Sequence, residues 1–171
     1  ALGLRPLWFG ETEKEYFAIC AGNCDRDRDY IDQPIGPPPH HREKMTVRPG
    51  HALAKEAQTF YEVVERFDGF TAMRVLPKSG RTHQIRVHMQ FLKAPMLGDP
   101  VYGIGNIIPH KLMTQTLRDA VTGFNRQALH AVKLGLIHPK TNEFMEWQIE
   151  LADDMKVLLE AMRHEDAPIE E

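Results

Sequence analysis

Leu76-Pro77-Lys78-Ser79-Gly80-Arg81-Thr82-His83-Gln84-Ile85-Arg86-Val87-His88 is the stretch on which the rest of the chain turns. Before it, Thr71 to Leu76 has the composition of a strand. Within and after it, Ile85, Met89 and Leu92 recur at i, i+4 and i+7 until Pro95 stops the pattern, which is the period of a helix with one apolar face. Thr82 stands where a hydroxyl can cap the first turn. The stretch therefore predicts a strand-to-helix junction, with Arg81, His83, Gln84 and Arg86 around a helix N-terminus that attracts anions in its own right. No carboxylate occurs from Gly69 to Gly98, while Arg74, Lys78, Arg81, Arg86 and Lys93 do, in a chain of formal net charge -3. That predicts one concentrated positive field on an acidic protein.

Working outward, Gln58 to Arg66 and Thr71 to Leu76 are strand-like runs joined through Asp68-Gly69, the turn chemistry of a tight hairpin. Glu13 to Ala21 alternates Tyr16, Ala18 and Cys20 against Glu15, Phe17 and Ile19, a strand with one buried face. Between them, Gly22 to Pro49 is rich in Asp, Arg, Pro and His and reads as a long ordered loop, with a short strand near Met45-Thr46-Val47. Downstream, Leu97-Gly98-Asp99-Pro100 and Tyr102-Gly103 form a tight turn, and Leu112 to Val121 suits a short helix. Leu129 to His138 and Glu143 to Leu151 make a second hairpin about Pro139-Lys140-Thr141-Asn142. Asp153 can cap a last helix carrying Met155, Leu158, Leu159 and Met162 on one face. From Glu143 onward ten carboxylates face two basic side chains, so the negative total belongs to the far end, including an acidic tail over 166–171. The elements predict an α+β domain: a mixed, mostly antiparallel sheet with flanking helices.

Composition narrows the class. At 171 residues one domain burying roughly 70% of its unfolded surface is expected. No apolar run reaches the ~18 to 20 residues of a membrane helix, so no membrane partner is expected. Cys20 and Cys24 lack the C-x-x-C spacing and a second ligand pair. Such sparse cysteine use suits a reducing compartment, and a cytoplasmic location is expected. Nine histidines are present, but no pair has a zinc-site spacing and His40-His41 lie in a proline-rich loop, so no metal is expected.

From the residues alone the central stretch admits three uses. Its cations could neutralise phosphates while Tyr16 or another aromatic stacks a base, or they could form only a solvated face. A carboxylate held by Arg86 could be catalytic, or a histidine could serve as acid and base, a reading that extends to a metal-dependent hydrolase. The Walker ending Gly-Lys-Ser/Thr is absent, which argues against a nucleotide hydrolase.

Ser79 to His88, followed by Pro95-Met96-Leu97-Gly98-Asp99-Pro100-Val101-Tyr102-Gly103, resembles the signature of the RluA family of pseudouridine synthases. Lys14-Glu15-Tyr16 resembles that family's K-x-Y strand. Gln33-Pro34-Ile35-Gly36 with Arg42-Glu43-Lys44-Met45 resembles its next loop, and Gln127-Ala128-Leu129-His130-Ala131 with His138-Pro139 the strand after an insert. The resemblance runs from about Lys14 to Arg163 and leaves Ile104 to Arg126 largely unmatched. It implies the pseudouridine synthase fold and isomerisation of uridine to pseudouridine in structured RNA, rRNA or tRNA, without cofactor or metal. It further implies that Tyr16 packs on the flipped-out base and takes part in the chemistry, and that Arg86 pairs with the catalytic aspartate. Leu129 then lines the pocket, and Arg81, His83 and Gln84 belong to the substrate-binding junction. An aromatic face can hold an extruded base, and an arginine keeps a neighbouring carboxylate ionised.

The family's aspartate lies in an H-R-L-D motif upstream of the K-x-Y strand, and that motif does not occur in the 171 residues. The expectation is that residues 1–165 are the C-terminal part of a catalytic domain whose nucleophile lies on an upstream segment, leaving this chain alone inactive. The competing expectation is a non-catalytic RNA-binding module built on the same fold.

Overall fold

The computed structural model describes residues 12–40, 44–103 and 113–165. Eight strands and three helices occur among them: β1 Thr12–Ala21, β2 Arg28–Asp32, β3 Ile35–Gly36, β4 Thr46–Val47, β5 Gln58–Phe67, β6 Phe70–Pro77, α1 Gln84–Phe91, α2 Gln115–Gly123, β7 Leu129–Ile137, β8 Phe144–Gln148 and α3 Asp153–Glu165. Six strands form one sheet in the order β2-β5-β6-β1-β7-β8, and β3 pairs with β4 in a second. All pairings among these strands are antiparallel. Both predicted hairpins are present, and the fold is α+β with a largely antiparallel sheet.

The alternation along β1 separates two cores. Ile19, with Ala72, Phe67 and Phe70, meets Leu117 of α2 and Met155, Leu158, Leu159 and Met162 of α3. On the opposite face Ala18 and Cys20, with Tyr61, Met73 and Val75, meet Ile85 and Met89 of α1. Period-2 alternation in the strands and the 3.6 period in the helices make these two seams fit. A smaller cluster of Ile35, Ala57, Val87 and Tyr102 fixes the two-stranded sheet to the outer side of α1.

Most of Gly22 to Pro49 reads as loop in sequence, yet Arg28–Asp32 is an edge strand paired with β5, and Ile35 pairs with Val47. Only Ile31 of β2 is buried, so a charged edge strand carries almost no apolar pattern to read. The cap of α1 is His83, at φ 56 with no side-chain cap bond, rather than Thr82. Asp153 is the first helical residue of α3, with Asp153 and Asp154 in its first turn, where negative charge complements the helix dipole. β8 stops at Gln148, short of Leu151. The readings on His41, Arg42, Glu43, Leu112 and the tail 166–171 fall outside the described residues.

Candidate active site

The junction between β6 and α1 is held by one buried amide. Gln84 is 4% exposed. Its Oε1 accepts from Ser79 Oγ at 2.8 Å and Arg81 N at 3.0 Å, and its Nε2 donates to the Gln58 carbonyl at 2.8 Å and Thr59 Oγ1 at 3.1 Å. All four bonds of the amide are thereby used. His88 is fully buried, and burial lowers its pKa and favours the neutral ring. Its Nε2 faces the Gln33 carbonyl at 2.9 Å and so carries the hydrogen, which leaves Nδ1 to accept from Thr59 Oγ1 at 2.7 Å.

Arg86 leaves the same helix in another direction. Its Nε donates to Oδ2 of Asp99 at 2.8 Å and its Nη2 to Oδ1 at 2.7 Å, a bidentate pair whose side chains are 12% and 0% exposed. Asp99 Oδ1 also accepts from the amides of Val101 and Tyr102, at 2.9 and 3.0 Å. Burial works against ionising this carboxyl, but the Arg86 guanidinium and the two amides prevail and hold its pKa below the ordinary value. The turn allows the approach because Gly98 sits at φ 73 against the Arg126 and Phe124 carbonyls, and a Cβ on Gly103 would run into the Asp99 carbonyl.

Tyr102 closes the network. The Arg86 guanidinium carbon lies 5.0 Å from its ring centroid, within the range of a cation–π contact. Its hydroxyl accepts from Met45 N at 2.8 Å, leaving its hydrogen for His83 Nδ1 at 2.8 Å. Burial, with Arg86 nearby, lowers the His83 pKa against an opposing pull from Asp99. His83 is thus a neutral acceptor that positions Tyr102.

Tyr16 and Leu129 come together on another part of the site, packed against the cluster that holds Ile85 and Met89. Tyr16 pairs across β1 and β7 with Ala131, and Ala18 with Leu129, so all of these share one sheet face. Tyr16 is half-buried, its pKa is raised by burial, and its hydroxyl has no hydrogen-bond partner among the described residues. No hydrogen bond joins it to Arg86.

The positive field divides once the chain folds. Arg74 stands on the opposite face of β6 from Met73 and Val75 and pairs with Glu15 of β1 at 2.7 and 2.9 Å. Arg86 is neutralised by Asp99. Exposed Lys78, Arg81 and Lys93 keep their charge without a carboxylate partner among the described residues, although Arg81 Nε donates to the Glu56 carbonyl at 2.8 Å. The run without carboxylates reads as one field in sequence because its acidic partners lie 59 and 13 residues away.

Asp99 and Tyr102 are the site residues missed in sequence as partners of Arg86 and His83. Their signal was the Gly98-Asp99-Pro100 turn, but nothing in its spacing from Arg86 shows that the two would meet. Cys20 and Cys24 are free and buried, and burial raises both thiols. No group of three His, Cys, Asp or Glu able to hold a metal occurs among the described residues, and no described helix is long and apolar enough to cross a membrane.

Residues 9–91 match the sequence profile of the RNA pseudouridylate synthase family. Ribosomal large subunit pseudouridine synthase D of Pasteurella multocida is 41% identical over 160 residues, covering 94% of this chain and 48% of the relative. The chain is similar to pseudouridine synthases of the RluA family. Within that family, synthase D of Vibrio parahaemolyticus is 44% identical over 94% of the chain and 48% of its own length. For synthase D of Escherichia coli the figures are 40%, 90% and 45%. The chain therefore spans about half the length of the curated relatives it matches.

The solved human RNA pseudouridylate synthase domain containing 4 superposes with a TM-score of 0.67 at 26% identity, covering 89% of this chain and 62% of that one. Domain containing 1 shares the fold, with a TM-score of 0.60 at 24% identity, over 94% of this chain and 69% of its own.

Proposed function

We propose that this chain is part of the catalytic domain of an RNA pseudouridine synthase, which converts uridine in structured RNA to pseudouridine. The names of its relatives favour large-subunit ribosomal RNA. The reaction breaks the bond from C1′ to N1 and forms one from C1′ to C5, with the C5 proton lost and N1 reprotonated. The carboxylate that attacks in this family is supplied by polypeptide outside the 171 residues.

The observation that carries the reading is the placement of Tyr16: half-buried beside Leu129, with its hydroxyl unpartnered, on the sheet face that also packs α1. An extruded base needs such an aromatic platform to recover the few kcal/mol lost on unstacking. Because burial raises the Tyr16 pKa, the phenol stays protonated at neutral pH, and its first role is to hold the base. Lys78 and Arg81 contact the RNA backbone, whereas Gln84 and His83 keep the junction in shape. Arg86, held by Asp99, has one remaining guanidinium nitrogen, Nη1, with which to meet an incoming carboxylate. The enzyme works in the cytoplasm, where Cys20 and Cys24 remain thiols.

The test is pseudouridine formation on an unmodified large-subunit rRNA transcript. The 171-residue chain alone forms none, and turnover by it would overturn the assignment of the nucleophile to other polypeptide. In a form that contains the H-R-L-D segment, Tyr16→Phe retains RNA binding and Tyr16→Ala loses base capture; equal behaviour of the two would remove the platform role. Arg81→Ala weakens RNA binding and reduces its salt slope by about 1, and an unchanged slope would reduce Arg81 to a solvated charge. The RNA-binding module remains the second reading, favoured by the Asp99 carboxylate that already occupies Arg86. It predicts tight binding without turnover even when the H-R-L-D segment is present.

A further inference from the structure

Leu129 opens β7 between two side chains that are fastened on the far side of the sheet. Phe17 pairs with His130 and Ala18 with Leu129, so His130 lies on the face that packs α2 and α3, and Leu129 on the face of Tyr16. His130 Nδ1 accepts from the Ala152 amide at 3.2 Å, just before α3 begins. Arg126 meets the same helix end: its Nε and Nη2 donate to Oδ2 and Oδ1 of Asp154, each at 2.8 Å. The start of α3 is thus tied down on both sides of Leu129.

The rest of the Arg126 guanidinium is turned on the strand itself. Its Nη1 donates to the carbonyls of Gln127 and Leu129 at 3.0 and 3.3 Å, and the Leu129 amide donates to the same Gln127 carbonyl at 2.8 Å. A planar fork that serves a carboxylate and two carbonyls together fixes the backbone that presents Leu129. Its carbon lies 5.1 Å from the Phe124 ring centroid, and that ring packs on the core of α2 and α3, which gives the fork a packed base.

The same segment backs the other half of the site. Ala128 N donates to the Leu97 carbonyl at 2.9 Å, Leu97 N to the Ile19 carbonyl at 2.9 Å, and Ile19 N to the Ala128 carbonyl at 3.0 Å. Gly98 rests on the Arg126 and Phe124 carbonyls, one residue before the Asp99 that holds Arg86.

The side chains of Arg126 and Asp154 are 40% and 47% exposed, and an ion pair in so much water adds little to stability. What the fork supplies is geometry. With Asp154 answering its charge, Arg126 is also not a spare cation of the kind that Lys78 and Arg81 offer to RNA. Arg163 provides a matched comparison at the other end of α3, where a similarly exposed fork meets Glu65 of β5 and Glu160.

We propose that Arg126 is a positioning residue of the synthase that acts through Leu129, holding that side chain beside Tyr16 so that the extruded base stays in one place while its bond to the sugar is exchanged. The proposal rests on the synthase reading above, in which Tyr16 and Leu129 receive the base.

The test uses the synthase in a form that contains the H-R-L-D segment and follows single-turnover pseudouridine formation on a large-subunit rRNA transcript. At saturating RNA, Arg126→Met slows the reaction on the order of 10- to 100-fold, the scale of a misplaced reacting group. RNA affinity and its salt slope stay at wild-type values. Asp154→Asn, which loosens the fork from the helix side, is slowed in the same sense. Arg163→Met keeps the full rate. Arg126→Lys, which retains the charge without the fork, stays slow. Leu129→Ala with Arg126→Met is little slower than Leu129→Ala alone, because the arginine acts through the leucine. The Leu129 methyl NMR signals move in Arg126→Met and not in Arg163→Met.

A wild-type rate for Arg126→Met or Arg126→Lys overturns the proposal. So does an equal loss in Arg163→Met, a loss in the double variant equal to the product of the single losses, or a flattened salt slope, which would make Arg126 a phosphate contact. Should Arg126→Met fail to fold, Asp154→Asn carries the same comparisons. If the unsubstituted enzyme forms no pseudouridine, the synthase reading fails separately, and the Leu129 methyl signals still decide the placement: unmoved in Arg126→Met, they overturn it.

Discussion

Asp99→Asn keeps the size of the side chain and removes its charge, which makes it the sharpest test of the network behind Arg86. In the native site Oδ1 accepts three N–H groups and Oδ2 one. An asparagine has a single acceptor oxygen, so its amide nitrogen must face either the guanidinium or the turn amides, donor against donor. Water cannot repair this, because the Asp99 side chain is 0% and the Arg86 side chain 12% exposed.

Removing one partner of a buried pair costs about 3–5 kcal/mol. For a chain of this size that is a fall in Tm of about 6–20 °C. Thermal and urea unfolding of the 171-residue chain measure it, and an unchanged m-value would place the loss in stability rather than in the compactness of either state. Arg86→Met with Asp99→Asn should cost less than the sum of the single changes, because the apolar side chain no longer leaves a charge buried. The pH response follows from the depressed Asp99 pKa. Its contribution is fully present above the unfolded value near 3.8 and is lost as pH falls through the lower folded value. A loss below about 1 kcal/mol for Asp99→Asn would mean that the pair behaves as a surface salt bridge, and the account of a locked Arg86 would fail.

Other consequences are open to the same measurements. Gln84→Ala strands the Ser79, Arg81, Gln58 and Thr59 groups that its amide serves, and a loss of about 2–3 kcal/mol is expected in urea unfolding; a neutral outcome would show that water reaches the junction. His88 has a folded pKa below its ordinary 6.5, so the unfolded chain binds the extra proton first and stability falls as pH drops through 6.5 toward the folded value. His88→Gln should flatten that slope in melts taken between about pH 7.5 and 5.5. Gly98→Ala combines a φ of 73 with a Cβ driven against the Arg126 and Phe124 carbonyls, and its Tm should drop by more than that of Gly50→Ala, where φ is 74 but no atom lies within 4 Å.

Much of the fold was legible in one dimension because its signals are local. The alternation of Tyr16, Ala18 and Cys20 against Phe17 and Ile19 became the two cores on either side of β1. Asp68-Gly69 became the β5–β6 turn, and Ile85 and Met89 became the inner face of α1. β2 was hidden because its neighbour β5 supplies the pairing while its own residues stay polar. His83 displaced Thr82 at the cap because the hydrogen bond from Tyr102 fixes it in the left-handed region, a cost that local propensity cannot anticipate.

The sequence by itself carried the resemblance to the RluA family, through the order and chemistry of Lys14-Glu15-Tyr16, Ser79 to His88 and Pro95 to Gly103, since motif residues keep their spacing wherever the chain goes. It also marked the stretch around the junction as a concentration of positive charge with no carboxylate from Gly69 to Gly98. Which of those charges remain available only the tertiary structure decided. Glu15 crosses the sheet to take Arg74 and the Gly98–Gly103 turn folds back to take Arg86, leaving Lys78, Arg81 and Lys93 to face solvent. Electrostatic energy depends on distance in space, while sequence records only distance along the chain.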